Sequence, residues 1–120
     1  MKKRILLVDD LEIIRLGLRK TVSGHYEVCG EAADGQEAIQ KATELKPDLI
    51  ILDTNMPVMD GFKAACKIRQ LLPAAKIVML SDDFQPETEA KEAGADAIVA
   101  KARPLDELSR AIDRCLERTG

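Results

Sequence analysis

An α/β domain, a parallel sheet covered by helices on both faces, is the fold class this 120-residue sequence predicts. Three observations carry the prediction. Aliphatic runs without polar alternation recur at residues 5–8, 49–52 and 77–80, the pattern of strands buried on both faces. Segments with apolar residues at helical spacing lie between them. Each run stops on a polar residue: Asp9-Asp10, Asp53, Ser81 and, after a shorter run, Lys101. Such alternation implies right-handed crossovers and a sheet whose strand C-termini share one edge. Nothing reads as a linker or an internal repeat, so residues 1–120 are expected to form one domain.

Residues 4–8 make the first strand, halted by Asp9-Asp10. Leu11, Ile14, Leu18 and Val22 keep helical spacing, with Glu12, Arg15 and Arg19 between them, and Ser23-Gly24 ends that helix. Residues 26–30 read as a weaker second strand, and Asp34-Gly35 as a turn or helix start whose residues are turn chemistry and nothing more. Ala38, Ile39, Ala42 and Leu45 form a second amphipathic face that Pro47 stops. The third strand is the most apolar, running from Leu49 to Leu52 straight into Asp53, with Pro57 and Gly61 closing the turn. Phe62, Ala65, Ile68 and Leu72 mark the third helix, halted by Pro73, and residues 76–80 the fourth strand. Residues 86–94 hold helix formers and a Gly stop but almost nothing apolar, which predicts a short, exposed, loosely docked helix. Residues 97–100 are the fifth strand. Pro104 then opens the last helix, with Leu105, Leu108, Ile112 and Leu116 on its apolar side.

Composition narrows the function classes. Apolar residues make up 46% and charged residues 32%, as in ordinary globular domains. Aromatics are only 2%, so stacking platforms for nucleic acid are essentially absent. The net charge of −3 and scattered cations argue against direct nucleic-acid binding, which needs a basic face. No apolar run approaches a membrane span or a secretory signal. Cys29, Cys66 and Cys115 lack paired spacing, and His25 stands alone, so zinc is disfavoured and reduced thiols in the cytoplasm are expected. No Gly-rich phosphate loop follows the first strand, which disfavours nucleotide binding.

The strand ends carry the chemistry. Asp9, Asp10, Asp53, Ser81 and Lys101 should converge on one sheet edge. Three crowded carboxylates repel and call for a cation. Mg²⁺ suits a site offering a few carboxylates, water and a phosphate oxygen. Lys101 supplies a compact positive charge for a phosphoryl oxygen, and Ser81 a hydroxyl. These parts fit phosphoryl transfer onto Asp53. Singly each has a blander reading: Asp9 as a helix N-cap, Ser81 as a strand-end hydroxyl, Lys101 as a solvated lysine.

Taken in order, Val8-Asp9-Asp10, Asp53 with Met56-Pro57 and Asp60-Gly61, Ser81, and Ala93-Gly94-Ala95-Asp96 before Lys101 resemble the receiver domain of bacterial two-component response regulators. The match runs over essentially the whole chain. The stretch from Gly30 to Gly35 with Glu37-Ala38 is similar to receivers that carry a C-terminal helix-turn-helix DNA-binding domain. The resemblance implies a flavodoxin-like sheet of order 2-1-3-4-5. It implies Asp53 as the phosphoacceptor, Mg²⁺ held by Asp10, Asp53 and the Asn55 backbone carbonyl, and Asp9 acting mainly through water. Ser81 and Lys101 would hold the phosphoryl group. A histidine kinase or phosphotransfer protein would be the donor, and the face of helix four, strand five and helix five would switch, with a homodimer as one output. Such a domain is a switch with intrinsic phosphorylation and dephosphorylation chemistry, not an enzyme in its own right.

Departures from that pattern lie on the output side. Asp82 follows the switch hydroxyl where a small residue is usual. Ile98 takes the place of the usual Tyr or Phe, and Ala102 that of the common Pro. The Asn55 side chain and Asp83 occupy positions that tune dephosphorylation. Two alternatives follow: a degenerate receiver acting as a phosphorylation-independent interaction module, and a hydrolase with Asp53 as nucleophile. The second lacks the acid that the haloacid-dehalogenase pattern places two residues on, where Asn55 stands.

Overall fold

In a computed structural model, which describes residues 2–81, 87–101 and 105–117, β1 (Arg4–Val8), β2 (Glu27–Ala32), β3 (Leu49–Asp53), β4 (Lys76–Ser81) and β5 (Ala97–Ala100) alternate with five helices. The helices are α1 (Glu12–Val22), α2 (Gly35–Leu45), α3 (Gly61–Leu71), α4 (Glu87–Glu92) and α5 (Leu105–Glu117). All four strand pairings are parallel, and the order is β2-β1-β3-β4-β5. Both the fold class and the strand order are as expected.

Side-chain alternation along the buried strands divides the core. Leu6, Val8, Ile50, Leu52, Ile77 and Met79 meet Ala38 and Ala42 of α2 and Ala64, Ala65 and Ile68 of α3. Ile5, Leu7, Ile51, Val78, Leu80 and Val99 meet Leu18 and Val22 of α1 and Leu108, Ala111 and Ile112 of α5. The central β1 and β3 strands read as unbroken aliphatics because both faces are covered.

Three local expectations need correction. Leu11 is not part of the α1 core: it is the N-cap residue and 52% exposed, so α1 buries Leu18 and Val22 with Ile14 half-covered. The Asp34-Gly35 pair is more than turn chemistry: Asp34 Oδ1 accepts from the Glu37 N–H, and Glu37 Oε1 accepts from the Ala33 N–H, a reciprocal N-terminal lock close to a capping box. The six-residue α4 is short as expected, but it does dock, burying Ala90, with Ala93 buried just beyond it.

Candidate functional site

Register brings the strand ends level. Val8 pairs with Leu52, Asp53 with Leu80 and Ser81 with Ala100, and the Lys101 N–H donates to the Ser81 carbonyl at 2.7 Å. Asp9, Asp53 and Ser81 are buried, while Asp10 is exposed. One oxygen from each of Asp9, Asp10 and Asp53 lies within 4.8 Å of the others. Lys101 Nζ stands 2.8 Å from Asp9 Oδ2 and 3.3 Å from Asp53 Oδ1. The five predicted residues are therefore gathered at one edge.

The two buried acids are held differently. Asp9 Oδ1 accepts from the Leu11 N–H at 2.9 Å, an Asx-type turn one step ahead of the helix. Leu11, not Asp9, is the cap residue, and no side chain caps α1. Asp53 Oδ1 accepts from the Asn55 N–H at 3.1 Å, whereas its Oδ2 is buried with no hydrogen-bond donor among the described residues. Burial is the main reason the Asp53 carboxyl is pushed up to about 6, and the charge of Asp9 adds to the rise. The Asn55 N–H and the Lys101 ammonium pull the other way. One ammonium faces three carboxylates, and a buried carboxylate oxygen is left without a donor. A hard divalent cation fits this donor set.

The β3–α3 connection is built for close approach. A Cβ at Gly61 would lie 2.0 Å from the Asp53 carbonyl oxygen, so only glycine allows α3 to start against the end of β3. The Gly61 N–H donates to the Thr54 carbonyl at 3.0 Å, and Asp60 caps α3 by accepting from the Lys63 N–H at 2.9 Å. Val58, in the same loop, is exposed and holds a φ of 70°, a left-handed backbone that a β-branched residue rarely adopts.

Other predicted residues sit as follows. Asn55 is exposed directly beside Asp53. Ile98 pairs with Met79 and is half-buried. It lines a cavity of about 180 Å³ with Ala90, Lys91 and Arg114. Asp82, Asp83 and Ala102 lie outside the described residues. Sequence reasoning missed Gly61 as a packing requirement, and it missed two arginines. Arg69 directs all five guanidinium N–H groups at the Gly94, Pro73 and Ala75 carbonyls and Asp96. Arg15 reaches the Asp9 carbonyl at 2.6 Å. Each bond joins residues distant in sequence or hidden backbone atoms, so no local signal marks it.

Comparison with known proteins adds family context. The profile of the response regulator receiver domain matches residues 5–113. The response regulator protein VraR of Staphylococcus aureus (strain NCTC 8325) is 39% identical over 116 residues, covering 93% of this chain and 56% of the relative. The chain thus spans little more than half the length of the curated relatives it matches. Among solved structures, a LuxR-family two-component response regulator from Aurantimonas sp. SI85-9A1 aligns with a TM-score of 0.91 at 36% identity, over 98% of this chain and 86% of that one. The response regulator domain of Thermotoga maritima CheB aligns at 0.90 and 30% identity, over 98% of both chains.

Proposed function

The chain belongs to the response regulator receiver domain family of two-component signalling, and from that premise we propose that Asp53 is its phosphoacceptor. The observation that supports this reading most is the setting of Asp53. It is a buried carboxylate, ionised at neutral pH, with Lys101 at 3.3 Å and two further acids beside it. One Asp53 oxygen attacks the phosphorus of a phosphohistidine. The P–N bond breaks, its electron pair stays on the imidazole nitrogen, and a P–O bond leaves Asp53 as an acyl phosphate.

Asp10, Asp53 and the Asn55 carbonyl would hold Mg²⁺, with Asp9 acting through water. Bound there, the ion neutralises charge on the phosphoryl oxygens. Lys101 exchanges part of its carboxylate pairing for a phosphoryl oxygen, and the Ser81 hydroxyl donates to another. The rigid turn at Gly61 keeps the acceptor aimed while these partners rearrange.

The partners follow from the same reading. They are a histidine kinase or phosphotransfer protein as donor, a DNA-binding effector domain in the full-length protein, and a homodimer through the α4–β5–α5 face, all in the cytoplasm. A second reading, a degenerate receiver that signals without phosphate, is favoured by Ile98, which offers no ring to move between two positions. Intact-mass measurement after incubation with phosphoramidate and Mg²⁺ separates the two. Uptake of one phosphoryl group, lost in Asp53→Asn, supports the acceptor role; no uptake by the native chain sinks it. The same phosphorylated sample, sized by light scattering, reports whether the proposed dimer forms.

A further inference from the structure

Arg15 has no part in the roles above, yet its guanidinium is committed to the backbone of the site. Nη1 donates to the Asp9 carbonyl at 2.6 Å and Nε to Glu31 Oε1 at 2.9 Å. Both side chains are largely covered, 16% and 21% exposed. Arg19 pairs with the second Glu31 oxygen, and Lys41 donates to the Glu31 carbonyl. Glu31 stands opposite Leu7 on the neighbouring strand. It immediately precedes Ala32, whose carbonyl accepts the Asp9 N–H at 3.1 Å.

Three polar groups of Asp9 are hydrogen-bonded, Oδ1 by the Leu11 N–H, the N–H by the Ala32 carbonyl and the carbonyl by Arg15, while Oδ2 has the Lys101 ammonium as its ion-pair partner. The Asp9 carbonyl lies in the peptide plane that leads to Asp10, so its direction governs where Asp10 leaves the strand. Asp10 is exposed, and among the described residues no side-chain bond or ion pair holds it. Its placement rests on the backbone that Arg15 grips.

We infer that Arg15 is a positioning residue for the cation site, aiming the Asp9-Asp10 peptide so that both carboxylates face Asp53. This rests on the reading of Asp9, Asp10 and Asp53 as the Mg²⁺ site. A cation so close would ordinarily repel Mg²⁺; Glu31, 2.9 Å from the guanidinium and shared with Arg19, offsets part of that charge, so Arg15 stands there for its geometry and against its charge. Two acceptors in two directions also explain an arginine here, since the planar fork serves both at once and a lysine ammonium is a single point.

The sign of the effect makes the inference testable. If Arg15 acted only through charge, its removal would tighten Mg²⁺ binding; if it positions, removal weakens binding. Titration calorimetry of Mg²⁺ into the purified chain, with urea unfolding of the same samples, reads both. Arg15→Met is expected to raise the Mg²⁺ Kd about tenfold, as loss of an outer-shell partner does. Arg15→Lys, whose compact ammonium can serve one of the two acceptors, should fall between it and the native chain. Unchanged or tighter binding in Arg15→Met, even with lowered stability, would overturn the inference and leave the phosphoacceptor reading standing. Native protein that takes up no Mg²⁺ would overturn both. Should Arg15→Met not fold, Arg15→Lys decides alone: a Kd equal to the native value overturns the role, and a weaker one supports it.

Discussion

Replacing Asp53 by Asn should stabilise the metal-free protein, although it removes the proposed reactive group. The Asp53 carboxyl titrates at about 6 in the folded chain against 3.8 for an unperturbed aspartate. Between those values the folded state binds a proton that the unfolded state has lost, so stability falls as pH rises. The destabilisation is absent below the unfolded value and complete above the folded one. Roughly two pKa units at 1.36 kcal/mol each amount to about 3 kcal/mol. The amide side chain of Asp53→Asn keeps an acceptor for the Asn55 N–H and carries no charge to desolvate, so the variant should recover most of this.

The assay is urea unfolding followed by far-ultraviolet circular dichroism in chelator, since the chain has no Trp. With an m-value of about 2 kcal/mol/M, the midpoint should rise by about 1.5 M above the folded pKa. The gain should fade towards pH 4 and shrink when Mg²⁺ is added, because the ion stabilises the folded state and should bind the Asp53 carboxylate more tightly than the amide that replaces it. A substitution that is neutral or destabilising well above pH 6, or a gain that ignores pH, would refute the reasoning.

Three further outcomes are expected. Gly61→Ala forces a Cβ to within 2.0 Å of the Asp53 carbonyl, and should cost at least about 2 kcal/mol in urea unfolding while weakening Mg²⁺ binding. Arg69→Lys replaces a saturated five-donor fork with a point charge. It should cost about 2 kcal/mol and speed hydrogen exchange of the Ala95 and Asp96 amides. Lys101→Met removes the cation that lowers the Asp53 carboxyl. It should push that group above 6 by carboxyl carbon NMR and slow phosphoryl uptake about a hundredfold or more.

What could be read from the residues divides along a physical line. Leu49 to Leu52 announce a doubly buried strand, and Asp53 stands out because a carboxylate after four aliphatics needs a partner. Topology then delivers Lys101 to it without any side-chain knowledge. Helix faces were less legible: Ile13, Ile14, Leu16 and Leu18 crowd α1 just after Leu11, and spacing alone admits more than one stripe. Packing selects Leu18 and Val22 and leaves Ile13 and Leu16 exposed. The Arg15–Glu31 pair was hidden for another reason. It depends on the β1–β2 register, which shifts between Ile5 and Leu6, and on a carbonyl that no residue type advertises. Ala90 and Ala93 bury through smallness, which apolar counting overlooks.

The Asp9–Lys101 ion pair ties the end of the first strand to the residue after the last, across the tips of β3 and β4. Parallel strands cannot be joined by hairpins, so each pairing waits on a long crossover, and this contact closes one of the largest loops the chain contains. Contacts of such sequence separation form late and make folding slow. The cluster that would receive phosphate therefore does not exist in any partly folded or partly synthesised chain lacking β5. Competence to take up phosphate is in effect a certificate that the whole sheet has been completed.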